Sequence, residues 1–489
     1  MNTPIVRLYA FILLLFATLV YFTSKWTVFD ADELADKDSN RRPLIEQQQI
    51  PRGTITTSDG VLIAESVPAG RGRRPVFVRR YPQGALFGHP VGYSFVDVGN
   101  SGIEESENDL LIGEENEFAT LIDELRDRQP EGADITLTLD AEAQRLATQL
   151  LQNAVTDPGS PGAALVAIEP KTGAVRVMAS VPGYDPNEVR TDAGFERLST
   201  APNSPLFSRA TQATYPPGST MKVVTAAAAL DSGEFEPDSV LDASSPIDIS
   251  GVPLENDGGR SFGQIDMTTA LTFSVNTYWA QVGEELGTET MVKYMERFGF
   301  YEDPELDLPG DEMAASGVIN EKGKLVKEDF DVGRVAIGQG GAEGQARATP
   351  MQMAEVAAAI ANDGTLMRPT FLQQARDPDG RVIEELDPEE QSKVISKEAA
   401  DQLTQMMQKV TEEGTAAGLS VDGVSFAGKT GTAEIRLEDR TNQPWFIAFA
   451  PTDDPQIAVA ATVERCQGCF GGDTAGPIAT AVMENLLGK

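Results

Sequence analysis

The stretch that most constrains this chain is a short, almost wholly apolar helix that has to run through a core. It begins with Pro216-Pro217-Gly218-Ser219-Thr220-Met221-Lys222, continues with Val-Val-Thr-Ala-Ala-Ala-Ala-Leu, and ends at Asp231-Ser232-Gly233. The prolines and Gly218 end whatever precedes, and a helix that is apolar on nearly all faces is typical of a buried position. Ser219 is expected to cap or open the helix, and Gly233 suits its end.

Ser219 and Lys222 are three residues apart and therefore share one face of the first turn. A serine hydroxyl becomes an effective nucleophile when a base removes its proton, and a lysine is such a base only when it is neutral. Burial and the positive end of the helix dipole both disfavour the ammonium form. The alternative interpretation is a capping serine beside a lysine that reaches solvent, and S-x-x-K alone does not choose between the two.

Two later motifs favour the catalytic interpretation. Ser274-Val275-Asn276 and then Lys429-Thr430-Gly431-Thr432 follow Ser219 at domain-sized separations. The order S-x-x-K, S-x-N, K-T-G is the signature of penicillin-binding proteins and class A β-lactamases. A second K-T-G begins at Lys171, but it precedes Ser219 and follows a proline, so we interpret it as a hairpin turn.

The chain resembles a class B penicillin-binding protein of the short type over almost its whole length. The further segments that carry the resemblance are Arg52-Gly53-Thr54-Ile55 with Asp59-Gly60, Leu137-Thr138-Leu139-Asp140 with Gln144, Ala167 to Ala174, Ser208-Arg209-Ala210, Ile337-Gly338-Gln339-Gly340 with Thr349-Pro350, and Trp445 to Pro451. This resemblance implies a peptidoglycan D,D-transpeptidase that cross-links stem peptides through a serine acyl-enzyme formed at D-Ala-D-Ala. It also implies inhibition by β-lactams and no cofactor.

The resemblance implies a role for each motif residue. Ser219 would be acylated, and Lys222 would take its proton. Ser274 would relay a proton to the leaving group, and Asn276 would hold Lys222 or the substrate amide. Lys429 would attract the anionic end of the substrate.

The residues after Lys429 would bind substrate. Thr430 and Thr432 would hydrogen-bond the terminal carboxylate, and Gly431 would leave room for the substrate backbone beside a strand. The backbone N–H groups of Ser219 and Thr432 would form the oxyanion hole.

Composition narrows the possible ligands. The formal net charge of −36 disfavours nucleic acid as a partner, because phosphate binding needs a basic face. The two cysteines, Cys466 and Cys469, and the single histidine, His89, are too few and too far apart for a zinc site, so no metal is expected. The cysteines are compatible with a disulfide in an exported domain or with a reduced, structural pair.

The N-terminal residues predict a membrane anchor. Residues from Leu8 to Ser24 are almost wholly apolar, which is at the short end of the roughly 17–25 residues that a spanning helix needs. A cleaved signal peptide is the alternative, but a small-x-small cleavage site is absent. Arg7 favours a cytoplasmic N-terminus, although Lys25 weakens that argument. The catalytic part would then lie outside the cell membrane.

The rest of the chain predicts an α+β architecture. We expect a hairpin from Gly162 to Val181, then helices, then late strands from Trp445 to Ala450 and from Ile457 to Val463, which would give a sheet with strands from both ends of the domain. The family fold adds that this sheet is antiparallel, five-stranded and flanked by helices. The expected domains are a tip and anchor at 1–25, a pedestal at 26–132 with short strands that include Val91-Gly92-Tyr93, and a transpeptidase domain at 133–489.

Other functions remain open at this point. A D,D-carboxypeptidase or a β-lactamase would use water as acceptor, but no convincing glutamate motif for fast deacylation lies between Ser274 and Lys429. A non-catalytic penicillin-binding scaffold or sensor is a further alternative. By resemblance, the partners would be peptidoglycan stem peptides and a polytopic lipid II polymerase of the shape, elongation, division and sporulation family.

Overall fold

The structure is a computed structural model that describes residues 3–30, 48–69, 76–113, 131–156, 160–341, 344–436 and 440–489. Its first element is the α-helix Thr3–Ser24, which continues as a short π-helix over Lys25–Phe29. None of the residues of Thr3–Ser24 is buried against the rest of the protein. The helix is long and apolar enough to cross a membrane, as the sequence predicts.

A first sheet, which we call the pedestal sheet, is built from distant parts of the chain. Its neighbouring strands are antiparallel except for Ile55–Thr56 beside Asp134–Leu137. In spatial order the strands are Val382–Glu385, Leu372–Arg376, Asp134–Leu137, Ile55–Thr56, Leu62–Ala69 and Val76–Arg80. The sheet therefore takes strands from both sides of the boundary predicted at residue 132.

Short elements complete the pedestal. They are the helices Gly88–Val91, Ile103–Ser106 and Asn108–Ile112 and the paired strands Ser94–Phe95 and Gly99–Asn100. The strand predicted at Val91–Tyr93 is wrong. Val91 ends a helix there, and Gly92 has a φ of +71°, a left-handed conformation that no regular strand contains.

A second sheet, the catalytic sheet, is antiparallel throughout and confirms the predicted fold class. In spatial order its five main strands are Ala427–Arg436, Thr441–Ala450, Ile457–Val463, Ala163–Ile168 and Val175–Val181. A short sixth strand, Cys466–Gln467, pairs with Thr441–Ala450. Strands from the two ends of the domain thus meet in one sheet, as expected.

Helices cover both faces of this sheet, and small two- and three-stranded sheets fill the connections. The helices are Ala141–Ala154, Pro186–Val189, Asp192–Ser199, Met221–Ser232, Met267–Thr272, Asn276–Arg297, Val332–Ala336, Pro350–Ala361, Lys397–Glu412 and Gly476–Leu486. The remaining strands are Val240–Asp242 with Gln264–Asp266, Ile247–Ile249 with Val252–Leu254, Thr365–Met367 with Glu390–Lys393, and Gly317–Ile319, Gly340–Gly341 and Gly344–Arg347.

The helix Met221–Ser232 runs through the core as its composition predicts. Every residue from Met221 to Leu230 is buried, and Gly233 ends the helix with a φ of +75°. Of the two predicted positions for Ser219, capping this helix is wrong and opening it is confirmed, because the helix has Thr220 at its N-cap. Ser219 lies one turn earlier in the 3-10 turn Gly218–Thr220, because the left-handed Gly218 separates the two prolines from the α-helix.

Candidate active site

The 3-10 turn that carries Ser219 is held from two sides. The Gly218 N–H donates to Gly338 O over 3.0 Å, and Thr220 Oγ1 donates to Pro217 O over 2.7 Å. A Cβ added to Gly338 would lie 1.9 Å from Gly218 O. The close approach of these two glycines fixes the turn, and Ser219 itself stays half-buried at the protein surface.

Lys222 is buried beneath Ser219 and is bound by the second motif. Its Nζ donates to Ser274 O over 2.7 Å and to Asn276 Oδ1 over 2.7 Å, and it lies 3.2 Å from Ser274 Oγ. A neutral amine has two N–H bonds, which match the two carbonyl oxygens. Its lone pair then remains for a hydroxyl proton.

The electrostatic environment favours that neutral form. Burial is the main reason why the pKa of Lys222 lies well below its ordinary value. The nearby Lys429 lowers the same pKa further, whereas the Asp257 carboxylate opposes it. Lys222 therefore has the character of a base rather than of a permanent cation.

Ser274 lies between two helices, not inside one continuous helix. The helices Met267–Thr272 and Asn276–Arg297 are interrupted at Ser274, whose φ is +58°. The Ser274 N–H donates to Leu271 O, and the Val275 N–H donates to Ala270 O, which closes the first helix. The left-handed residue points its hydroxyl back towards the two lysines.

Lys429 reaches the same hydroxyl from the catalytic sheet. It lies in the strand Ala427–Arg436, and its Nζ donates to Ser274 Oγ over 2.9 Å and to Thr430 O over 2.9 Å. Burial lowers the pKa of Lys429 to about 7. The three sequence motifs therefore meet at Ser274.

The structure also separates the two K-T-G tripeptides. Lys171 lies in a turn where the Thr172 and Gly173 N–H groups donate to Glu169 O. Its exposed Nζ pairs with Asp454 at 2.5 Å, and these contacts belong to the protein surface. The prediction of a hairpin turn at this position is confirmed.

Thr430, Gly431 and Thr432 follow along the open edge of the catalytic sheet. Thr430 Oγ1 lies 2.6 Å from Thr415 Oγ1, and Thr432 Oγ1 accepts a hydrogen bond from the Gly471 N–H over 3.2 Å. A Cβ at Gly431 would lie 2.8 Å from Pro217 O. The packing of the protein against Pro217 therefore requires a glycine at position 431. This reason is separate from the predicted space for the substrate backbone.

Comparison with known proteins decides the family. The transpeptidase domain of penicillin-binding proteins matches residues 163–484. The chain belongs to the penicillin-binding protein transpeptidase family. The penicillin-binding protein A dimerisation domain matches residues 52–135, within the pedestal.

Relatives of this penicillin-binding protein match it from end to end. The peptidoglycan D,D-transpeptidases PbpA of Mycolicibacterium smegmatis and Mycobacterium tuberculosis are 34% and 32% identical to it, with 100% of this chain and 99% of each relative covered. The chain is thus a class B penicillin-binding protein and a serine-type peptidoglycan D,D-transpeptidase.

Solved structures agree with this assignment. Penicillin-binding protein A from M. tuberculosis as a ceftriaxone acyl-enzyme has a TM-score of 0.79 and 31% identity, covering 90% of this chain and 99% of that one. Its penicillin G acyl-enzyme has a TM-score of 0.78 and 32% identity, covering 90% and 100%.

Several residues at the site of this penicillin-binding protein were not predicted to contribute. Asn276 Nδ2 donates to Glu255 O over 3.2 Å, which orients the amide so that Oδ1 faces Lys222. Asp257 and Arg260 follow in the same turn, and the Arg260 guanidinium lies 5.6 Å from the ring centre of Phe273, next to Ser274. The glycine pair in Asp257-Gly258-Gly259 signals a turn, but only the fold brings it to the site.

The two cysteines adjoin the third motif. The structure joins Cys466 and Cys469 in a disulfide, and Asn442 Nδ2 donates to Cys469 O over 2.9 Å. The chain then passes through Phe470 to Gly471, the donor to Thr432. Among the described residues, no group of histidine, cysteine, aspartate and glutamate side chains could hold a metal ion.

Proposed function

We propose that Ser219 is the nucleophile of this transpeptidase and that Lys222 is its general base. Ser219 Oγ attacks the carbonyl of the penultimate D-alanine while its proton moves to Lys222 Nζ. The observation that supports this assignment is the pairing of Lys222 Nζ with Ser274 O and Asn276 Oδ1, because a neutral amine that donates to these two oxygens keeps its lone pair for a hydroxyl proton.

Ser274 is proposed to carry that proton to the leaving D-alanine. Its Oγ lies within 3.2 Å of Lys222 Nζ and 2.9 Å of Lys429 Nζ, so it can accept from one amine and donate to the departing amine of the substrate. Breaking the peptide bond leaves an ester on Ser219. An amine of a neighbouring stem peptide then attacks that ester, forms the cross-link and returns the proton to the serine.

The third motif is proposed to bind the donor's terminal carboxylate. Lys429 supplies positive charge below about pH 7, and Thr430 and Thr432 present hydroxyl groups at the open edge of the sheet. Thr415 shares a hydrogen bond with Thr430 and so helps to orient it.

The N–H groups of Ser219 and Thr432 are proposed to form the oxyanion hole. Thr432 is paired with Pro444, which has no N–H, so this pair cannot exchange both ladder hydrogen bonds. We place the Thr432 N–H at the open edge of the sheet. That position suits a developing oxyanion beside Ser219.

Intact-mass spectrometry of the full chain with penicillin G tests the nucleophile. A stable adduct of one drug molecule is expected, and Ser219→Ala should abolish it. Thr220→Ser is the matched control, because it changes the adjacent hydroxyl and should leave the adduct intact. An adduct that persists in Ser219→Ala would contradict the assignment.

We further propose that residues 1–25 are a cytoplasmic tip and a single-pass anchor, that 26–132 supply the rest of the pedestal, and that 133–489 form the extracytoplasmic transpeptidase domain and lend three strands to the pedestal sheet. The unburied helix Thr3–Ser24 supports the anchor. A membrane-impermeant amine reagent applied to intact cells should label Lys171, whose side chain is 61% exposed. Labelling of Lys171 only after lysis would reverse this topology.

The polymerase partner is likewise a proposal. A transpeptidase needs glycan strands made close by, and a polytopic lipid II polymerase would supply them. Co-purification of the full chain with such a polymerase in detergent tests this proposal. Deletion of the pedestal residues 52–113 should abolish the association, and an association that survives the deletion would move the contact to the anchor or the catalytic domain.

A further inference from the structure

The core of the pedestal contains two buried guanidinium groups that share a single carboxylate. Arg52 Nε donates to Glu104 Oε2 over 3.0 Å, and Arg79 Nε donates to Glu104 Oε1. Tyr81 also donates to Glu104 Oε1, over 3.1 Å. Arg52, Arg79 and Glu104 are 8%, 5% and 0% exposed.

This group carries a surplus positive charge. Burial alone would raise the pKa of Glu104, but Arg79 and Arg52 outweigh burial and hold it below its ordinary value. Glu104 is therefore ionised, and two cations face one anion. A buried charge without a counter-charge is strongly destabilising.

The surplus charge faces a cavity of about 150 Å³. Arg79 Nη2 is buried and has no hydrogen-bond partner among the residues that the structure describes. The wall also includes Ser66, Ser94 and Arg190, together with one carboxylate, Asp97. Three arginines and one aspartate leave the wall itself positive, in a chain whose net charge is −36.

Water alone does not satisfy this cavity. It would complete the hydrogen bonds of Arg79 Nη2, but it would not neutralise the charge. A cavity of about 150 Å³ has room for one small oxyanion. The polar side chains of the wall come from separate segments of the chain.

We propose that this pedestal cavity binds a phosphate group, either free or borne by a lipid headgroup. Arg79 Nη2 and the guanidinium of Arg190 bind two of the oxygens. The hydroxyl groups of Ser66 and Ser94 bind the others. This site is separate from Ser219 and does not depend on the proposed catalytic roles.

The test uses the full chain in dodecyl maltoside, which contains no phosphate. The melting temperature of the protein is measured with inorganic phosphate, with chloride and with acetate at equal ionic strength. The 31P line width of the inorganic phosphate is measured in parallel. We expect phosphate to raise the melting temperature and the protein to broaden the 31P line of phosphate. Chloride and acetate are expected to leave the melting temperature unchanged. Equal stabilisation by chloride or by acetate would overturn the assignment.

Variants decide which residues hold the phosphate. Arg190→Ala and Arg79→Lys should each weaken phosphate binding at least tenfold, because the first removes a charge and the second keeps the charge but removes Nη2. Arg197→Ala is the matched control: Arg197 is exposed, pairs with Glu188 at 2.8 Å and does not line the cavity. Penicillin acylation of each protein reports whether it is folded, and if Arg79→Lys does not fold, Arg190→Ala decides alone. Unchanged binding by a folded Arg190→Ala protein would overturn the proposal.

The source of the phosphate is settled by competition. A short-chain phosphatidylglycerol is added to the phosphate-loaded protein. Sharpening of the inorganic phosphate line would show displacement and identify a lipid headgroup as the ligand. A line that stays broad would identify free phosphate, and either result supports the same binding site.

Discussion

Lys429 Nζ donates to Ser274 Oγ over 2.9 Å, although the two residues are 155 positions apart in the sequence. Ser274 Oγ also lies 3.2 Å from Lys222 Nζ, so one hydroxyl connects two buried lysines. Two ammonium groups this close in a buried site would repel each other strongly. The arrangement is therefore stable only when at least one lysine is neutral, which is the condition for Lys222 to act as a base.

Replacing Lys222 by methionine tests that condition. Methionine fills the buried space but has no lone pair that can accept a proton from Ser219. We expect acylation by penicillin G to slow by about 10²- to 10⁴-fold, the range that a general base contributes. Stopped-flow measurement of the acylation rate checks this.

Lys171→Met is the control, because it removes a lysine from the other K-T-G tripeptide at the surface. It should acylate at the unmodified rate. If the Lys222→Met protein is folded and acylates within threefold of the parent enzyme, another group must be the base.

The pH dependence of donor binding should report the charge on Lys429. Burial lowers its pKa to about 7, so its positive charge is present below that pH and disappears as the pH rises above it. We expect kcat/KM for a peptide ending in D-Ala-D-Ala to fall above about pH 7, by up to about tenfold per pH unit. Assays of D-alanine release between pH 5.5 and 9 measure it.

The same peptide with an amidated C-terminus is the comparison substrate. It has no carboxylate for Lys429 to attract and should not show the fall, although it reacts more slowly at pH 6. Equal falls for both substrates would place the titrating group in the acylation step instead of in carboxylate binding.

Local patterns in the sequence predict the individual helices and strands but not the conformation of the residues where they join. The alternation and turn residues around Lys171 predict the hairpin, and the apolar run after Lys222 predicts the core helix; both are confirmed. The left-handed Ser274 was missed because its conformation is set by the junction of two helices rather than by its own propensity.

Long-range pairing explains the other misses. Leu372–Arg376 completes the pedestal sheet from the middle of the catalytic region, and no local signal marks it as a partner of Asp134–Leu137. In the same way, Gly338 belongs to a segment that carries the family resemblance, but its contact with Gly218 depends on the folded core. Motif order singled out the residues that we propose to be catalytic, whereas supporting residues such as Glu255 and Thr415 needed the structure.

Gly338→Ala should slow acylation of Ser219 by more than the strain of a left-handed alanine alone would cause. The φ of Gly338 is +71°, and a Cβ there would lie 1.9 Å from Gly218 O. Strain of an alanine in this region is about 1–2 kcal/mol, and the clash adds to it by displacing the turn of Ser219. We expect a lower melting temperature and at least tenfold slower acylation.

Gly423→Ala is the control that separates backbone strain from a steric clash. Gly423 has a φ of +67° and open space around its Cβ position, so alanine there is strained but meets nothing. Its acylation rate should be unchanged and its stability loss should stay near 1–2 kcal/mol. Similar acylation rates in the two variants would show that the contact of Gly338 with Gly218 does not position Ser219.

The buried Glu355 should make stability depend on pH in a defined direction. Glu355 is 3% exposed in the helix Pro350–Ala361, and burial, aided by Glu305, raises its pKa from 4.5 to about 8. Between those values the folded chain binds a proton that the unfolded chain has lost. The free energy of unfolding therefore falls as the pH rises from about 4.5 to about 8.

Glu355→Gln removes the contribution of Glu355 to the pH dependence of the free energy of unfolding. It keeps a carbonyl oxygen that can accept a hydrogen bond from Gln352 Nε2, which lies 3.3 Å from Glu355 Oε2. Since one pKa unit corresponds to 1.36 kcal/mol, we expect the variant to be more stable by roughly 2–4 kcal/mol at pH 8 and equal to the parent near pH 4. Urea unfolding across this pH range measures the difference, and Glu398→Gln, at an exposed position of another helix, should show none. A gain that is the same at pH 4 and pH 8 would mean that packing, not ionisation, distinguishes the two side chains.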